Sequence, residues 1–238
     1  MMKFYKFTAP NYESDAMYSR RNPITWVYQY IVPGIICPIC GAWTGNRRLF
    51  LPVEDAGLTE LLKEKPYPIP MDDWYRIFGR AAERDNFAQR FRFAPGDVLG
   101  KPTGIITTKQ VPNFIFPWEG GVLVTQQTRD IIIEANLSGC QFLKMDLIDR
   151  RRKKGKEQPL PTIYVLLITG RINQSSEMNR CPVCARVKAS YSIDLNERYW
   201  DGNDFIINEA FPELIYVTEK VFTIFKDKGL KNFQCVPV

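Results

Sequence analysis

The chain has no histidine among its 238 residues. That absence removes Ser-His-Asp and Cys-His catalysis, because both need an imidazole to carry the proton. It also removes the histidine ligand of the zinc deaminases. Phosphate-cradling loops are missing as well. Gly120-Gly121 and Gly100-x-x-x-Gly104 stand alone, with no P-loop or dinucleotide fingerprint around them. Adjacent carboxylates such as Glu54/Asp55 and Asp72/Asp73 cannot be aimed at one substrate by a helix or a strand, so they read as caps and solvated surface. The expectation is a protein that is not an enzyme. Long apolar runs are scarce too. The longest, Ile31 to Trp43, is broken by Pro33, Gly34 and Pro38 and is too short to cross a bilayer. The segment Met1-Met2-Lys3-Phe4-Tyr5-Lys6-Phe7 shows no apolar core and no small-residue cleavage site, so no secretion signal is read there. With cysteines read as reduced, the expected location is cytoplasmic and no membrane partner is expected.

What the chain does have is cysteine in pairs. Cys37-Pro38-Ile39-Cys40-Gly41 and Cys181-Pro182-Val183-Cys184-Ala185 are two Cys-x-x-Cys knuckles. Four thiolates from two such knuckles are what a tetrahedral structural zinc site needs. Proline after the first cysteine stiffens each turn, and Gly41 can take the positive φ that turns backbone amides toward sulfur. The intervening residues 41–180 far exceed the usual ribbon interval. Closing a loop of about 140 residues instead of about 15 costs roughly 2 kcal/mol more. Structural zinc contributes on the order of 10–16 kcal/mol in small peptides. The metal wins, so Cys37, Cys40, Cys181 and Cys184 are expected to share one Zn2+ across an inserted region. Two other readings compete. A redox Cys-Pro-x-Cys wants its first thiol at a helix N-terminus, whereas Gly41-Ala42-Trp43-Thr44-Gly45 opens a turn. Two separate disulfides are the other. Cys140 and Cys235 lie in apolar contexts and read as structural thiols.

Hydrophobic residues make up 45% of the chain and aromatics 13%, which marks a folded globular protein. The formal charge is +6. Much of the excess lies in Arg150-Arg151-Arg152-Lys153-Lys154-Gly155-Lys156. Such a run is read first as a solvated loop and second as a phosphate-contacting patch. It holds no aromatic residue, which argues against base stacking.

An internal repeat runs through the second half. Residues 122–145 and 215–238 align at a constant offset, matching Val124 with Val217, Thr125 with Thr218, Ile131 with Ile224, Leu137 with Leu230 and Gln141 with Gln234. Each copy reads as a strand, a threonine N-cap, an amphipathic helix, a stop and a second strand. Val221, Phe222, Ile224 and Phe225 form the apolar stripe of the second helix. Gly229 and Asn136 sit where a left-handed C-terminal residue is wanted. Other predicted strands are Lys3–Thr8, Trp26–Val32 with its return at Arg47–Pro52, Gly139–Leu147, Ile163–Thr169, Lys188–Leu195 and Asn232–Val238. A helix is predicted over Met71–Arg90, loops with short strands over Phe91–Thr108 and a turn at Trp200–Asp204. The expected fold is therefore α+β: a zinc-ribbon-like four-cysteine module (1–52 with 176–200), a large inserted α/β region (53–175) and a C-terminal strand–helix–strand unit (201–238), with the two strand–helix–strand units related.

Cys-x-x-Cys-Gly near residue 40, the distant second knuckle and the Tyr216-Val217-Thr218-Glu219 helix start, with Gly229-Leu230 beyond it, resemble the double-CXXCG protein family. Lys3-Phe4-Tyr5, Pro95-Gly96-Asp97 with Leu99-Gly100, and Phe211-Pro212-Glu213-Leu214 extend the likeness along the chain. That family was noticed as myxobacterial paralogues and includes immunity proteins of swarm-inhibition toxin–immunity pairs. The resemblance implies metal ligation by Cys37, Cys40, Cys181 and Cys184, and capture of a cognate protein toxin by occlusion through a preformed surface. Ala185 departs from the second glycine of the motif, at about 1 kcal/mol if that position needs positive φ. A basic binder prefers an acidic patch on its partner, so mimicry of nucleic acid is not expected. The alternative reading is a zinc-ribbon nucleic-acid binder using Arg150, Arg151, Arg152, Lys153 and Lys154.

Overall fold

Strands dominate the computed structural model, which describes residues 2–10, 22–27, 30–41, 43–44, 50–51, 68–74, 76, 96, 98–117, 121–151, 159–172, 181, 195, 197–208 and 211–238. Among these residues the fold is mixed α+β with few helices. In chain order the strands begin with β1 (Phe4–Thr8), β2 (Ile24–Val27), β3 (Tyr30–Ile31), β4 (Ile35–Ile36), β5 (Trp43–Thr44) and β6 (Phe50–Leu51). They continue with β7 (Ile69–Pro70), β8 (Val98–Leu99), β9 (Thr103–Ile106), β10 (Phe114–Ile115), β11 (Val122–Thr125) and β12 (Cys140–Lys144). The last are β13 (Asp146–Asp149), β14 (Ile163–Ile168), β15 (Gly170–Ile172), β16 (Phe205–Asn208), β17 (Phe211–Thr218) and β18 (Gln234–Pro237). Two nine-residue helices are α1 (Gln126–Glu134) and α2 (Glu219–Asp227).

The chain divides into two units. One comprises Met1–Val27, Pro102–Ser176 and Ser192–Val238; the other comprises Tyr28–Lys101 and Glu177–Tyr191. This differs from the expected grouping of 1–52 with the second knuckle. The reason is strand pairing: β1 lies between β17 and β18, and β2 pairs with β9, so the N-terminal segment belongs with the larger unit. Residues 201–238 belong there too.

In the larger unit, four-stranded and five-stranded sheets run β10-β11-β14-β12 and β15-β16-β17-β1-β18. The repeat read in the sequence appears in them as a shared register. Val122, Leu123, Val124 and Thr125 face Leu166, Val165, Tyr164 and Ile163, while Ile215, Tyr216, Val217 and Thr218 face Phe7, Lys6, Tyr5 and Phe4. On the far side Leu143 and Lys144 face Val165 and Tyr164, while Val236 and Pro237 face Lys6 and Tyr5. Both helices end alike. Asn136 (φ 50) and Gly229 (φ 65) take the left-handed C′ position. The next residue's amide then bonds back, Leu137 to the Ile132 carbonyl at 3.1 Å and Leu230 to the Phe225 carbonyl at 3.0 Å. Leu137 and Leu230 are buried, which is the apolar contact this stop favours. Even the packing outside the helices corresponds. Arg129 lies 5.0 Å above the Tyr164 ring where, in the other copy, Phe222 stacks on Tyr5 at 4.8 Å.

One cap departs from expectation. Thr125 accepts from the Thr128 amide as an N-cap does, at 3.3 Å. Thr218 makes no such bond and instead donates its hydroxyl to Asp204 Oδ1 at 3.0 Å. Asp204 is 8% exposed and gathers donors from three directions. Its Oδ2 accepts from the Ser138 amide at 2.9 Å, the Ser138 hydroxyl at 3.2 Å and Lys220 Nζ at 3.1 Å. A buried carboxylate unmet by donors is costly, so it claims the threonine hydroxyl.

A shared core joins the two copies. Phe7, Phe114, Val124, Ile132, Phe205, Val217, Val221 and Phe225 lie in one buried cluster. Gly139 (φ +81) makes the close approach possible, because a Cβ there would stand 2.3 Å from the Phe205 carbonyl oxygen. Gly139→Ala is expected to cost about 2–4 kcal/mol, combining left-handed strain with a backbone clash; urea unfolding measures it.

Other strands differ from their predicted extents. Trp26–Val32 is split into β2 and β3, which lie in different sheets. Gly139–Leu147 breaks at buried Met145: β12 before it pairs with β14, and β13 after it pairs in parallel with β9. Phe50–Leu51 is no return strand for Trp26–Val32, since it pairs in parallel with β8. Within Met71–Arg90 the described helical turn is Met71–Trp74. The strand predicted over Lys188–Leu195 lies, apart from Leu195, outside the described residues.

Candidate metal centre

Among the described residues of the smaller unit, short strands pair in the orders β3-β8-β6 and β5-β4-β7. Loop contacts add to this pairing. The Ile69 amide bonds to the Gly34 carbonyl and the Gly96 amide to the Val32 carbonyl, both at 2.9 Å, and Trp74 Nε1 donates to the Pro33 carbonyl at 3.0 Å. Val32, Ile35, Met71, Trp74 and Val98 are buried around them.

The first knuckle is the tip of a hairpin. Ile35 and Ile36 face Thr44 and Trp43 across it. These flanking residues are β-branched or aromatic, a strand signal that the sequence reading passed over in favour of Trp26–Val32 and Arg47–Pro52. Gly41 closes the turn at φ 65, with its amide bonded to the Cys37 carbonyl at 2.9 Å. A Cβ at Gly41 would meet nothing within 4 Å. Gly41→Ala therefore carries conformational strain alone, about 1 kcal/mol, and is expected to weaken metal affinity about fivefold in a chelator competition.

Cys37, Cys40 and Cys181 come together from positions 144 residues apart in sequence. Their sulfurs all lie within 4.8 Å of one another, a group that could hold a metal ion. Cys37 Sγ and Cys181 Sγ are 3.7 Å apart. Ligand sulfurs about 2.3 Å from a tetrahedral zinc stand about 3.8 Å apart, whereas a disulfide needs about 2.05 Å. The separation fits shared ligation. Cys37 and Cys181 are each 1% exposed, and Cys40 is half-buried. Cys184, the fourth expected ligand, lies outside the described residues, as do Arg180, Arg186 and Lys188 around it.

Cys140 and Cys235 are free, half-buried and packed against the core of the larger unit. Burial pushes both thiols up to about 12, with the charge of Asp204 adding to the effect at Cys140. Neither is a ready thiolate. In the basic run Arg150 is exposed, and residues 152–156 lie outside the described residues. Arg151 is committed internally: Nε and Nη2 grip the two Asp149 carboxylate oxygens at 2.9 Å, with its side chain 7% exposed. Among the described residues no helix is long and apolar enough to cross a membrane. No protein-family model matches the chain, and no curated protein matches its sequence.

Proposed function

We propose that the chain is a zinc-clasped immunity protein that binds and neutralises a cognate protein toxin in the cytoplasm, without catalysis of its own. The observation that carries the metal half is the convergence of the Cys37, Cys40 and Cys181 sulfurs within 4.8 Å. In this reading Cys184 supplies the fourth thiolate and Zn2+ is the ion. Four sulfurs leave no open position, so the ion holds structure together. The toxin half is supported by the paired knuckles and the resemblance they carry. A formal charge of +6 favours a partner with an acidic surface.

Two competing readings have less behind them. A thiol oxidoreductase needs an accessible low-pKa thiolate, while Cys37 and Cys181 are each 1% exposed. A nucleic-acid binder using residues 150–156 would need free guanidinium groups, while the Arg151 fork is held by Asp149. Co-expression with the toxin encoded beside its gene is expected to restore growth, and unchanged killing would sink the proposal. The purified protein is expected to pass through immobilised DNA and RNA at low salt. Retention that falls steeply with added salt would favour the nucleic-acid reading instead.

A further inference from the structure

The two related sheets are completed in different ways. In the first, the strand between β11 and β12 is β14, which follows β12 in the chain. In the second, the corresponding place between β17 and β18 is held by β1, from the other end of the sequence. The registers nevertheless agree residue for residue, Tyr164 standing opposite Val124 and Lys144 as Tyr5 stands opposite Val217 and Pro237. One slot is therefore filled by two segments with unrelated covalent connections. Pairing register is common to both places, while the peptide links differ.

We infer that the cleft between β17 and β18 is a strand-acceptor site and that the N-terminal segment is its ligand, held in the manner of β-augmentation. The chemistry of the ligand is legible. It is an extended segment, antiparallel to both neighbours, with Tyr5 and Phe7 on one face and Phe4 on the other. Phe7 is buried among the rings of Phe114, Phe116 and Phe233, with centroids 5.2, 5.5 and 5.9 Å away. Phe4 meets Trp200 edge-on at 5.4 Å. Lys6 sits between these anchors and Thr8 follows them. The Val238 amide donates inward to the Phe4 carbonyl at 3.2 Å. By alternation Pro237 then faces the outer edge, where it has no N–H to offer a further strand.

The test keeps the full chain. A protease recognition sequence is placed within residues 11–21, and the intact insertion protein is first shown to unfold at the wild-type temperature. After cleavage, the N-terminal fragment is expected to co-elute with the remainder on native size exclusion. A labelled synthetic peptide of residues 1–12 is expected to exchange into the site at one per chain, and the same peptide with Phe7→Ala to bind at least fiftyfold more weakly. Loss of the fragment on cleavage, or equal binding of the Phe7→Ala peptide, overturns the inference. A circular permutant gives an independent answer: Val238 joined to Met2 through a short Gly-Ser linker, with the chain opened within 11–21. Folding within a few degrees of wild type is expected, and failure of that permutant to fold overturns it.

Discussion

On the proposed zinc reading, Cys181→Ser is expected to strip the protein of stoichiometric zinc and to lower the melting temperature of the smaller unit more than any surface change. The serine oxygen would occupy a site 1% exposed, opposite Cys37 Sγ at 3.7 Å, and a neutral hydroxyl is a poor replacement for a thiolate on zinc. An ion bound a thousandfold above its Kd contributes about 4 kcal/mol to the folded state, and that contribution vanishes in the variant or under a strong chelator. Elemental analysis and calorimetry with and without chelator measure both effects. Cys140→Ser, outside the cluster, is the control and leaves zinc content unchanged. A Cys181→Ser protein that keeps one zinc per chain and the wild-type melting temperature would remove Cys181 from the ligand set.

Asp204→Ala is expected to cost the other unit about 2–4 kcal/mol. It leaves the Ser138 amide, part-buried, and the Thr218 hydroxyl, buried, without their acceptor, and hydrogen bonds to a charged group are worth about 1.5–3 kcal/mol. The Lys220 ion pair adds little, because half of that side chain is in water. The same group fixes a pH dependence. Burial by itself would raise the Asp204 pKa, but the Ser138 amide, Lys220 and the Thr218 hydroxyl together hold it below the ordinary carboxylate value. A depressed pKa stabilises the fold above the unfolded-state value, about 3.9, and that stability is lost as pH falls through the folded value. The gap in melting temperature between wild type and Asp204→Asn should therefore be widest near neutral pH and shrink below about pH 4. A gap independent of pH would show that the carboxylate charge is not what the network uses.

Much of this was legible in local sequence. The threonine before each helix, the left-handed Asn136 and Gly229 after it, and the buried Val221 and Phe225 follow from signals within one or two turns of the chain. The hairpin around the first knuckle was legible too in Ile35, Ile36, Trp43 and Thr44, although longer apolar runs nearby outweighed it. Asp204 gave no signal. Its partners Ser138 and Lys220 lie 66 and 16 residues away, and an aspartate after Asn203 reads as a turn. Thr218 shows the same limit from the other side. Its position at the helix start was readable, but the direction of its hydroxyl depends on a carboxylate brought in by β16.

By itself the sequence determined where α1 and α2 begin and stop, which turn holds Cys37 and Cys40, and that no imidazole is present. Those features depend on a residue's own φ, on hydrogen bonds three or four positions away and on which side chains exist. Only the tertiary structure decided that Cys181 arrives beside Cys37, that the N-terminal strand fills the slot between β17 and β18, and that Thr218 serves Asp204. Each of these depends on which distant segment can fill a given space and satisfy its backbone groups, a choice that becomes visible only once the chain has closed on itself.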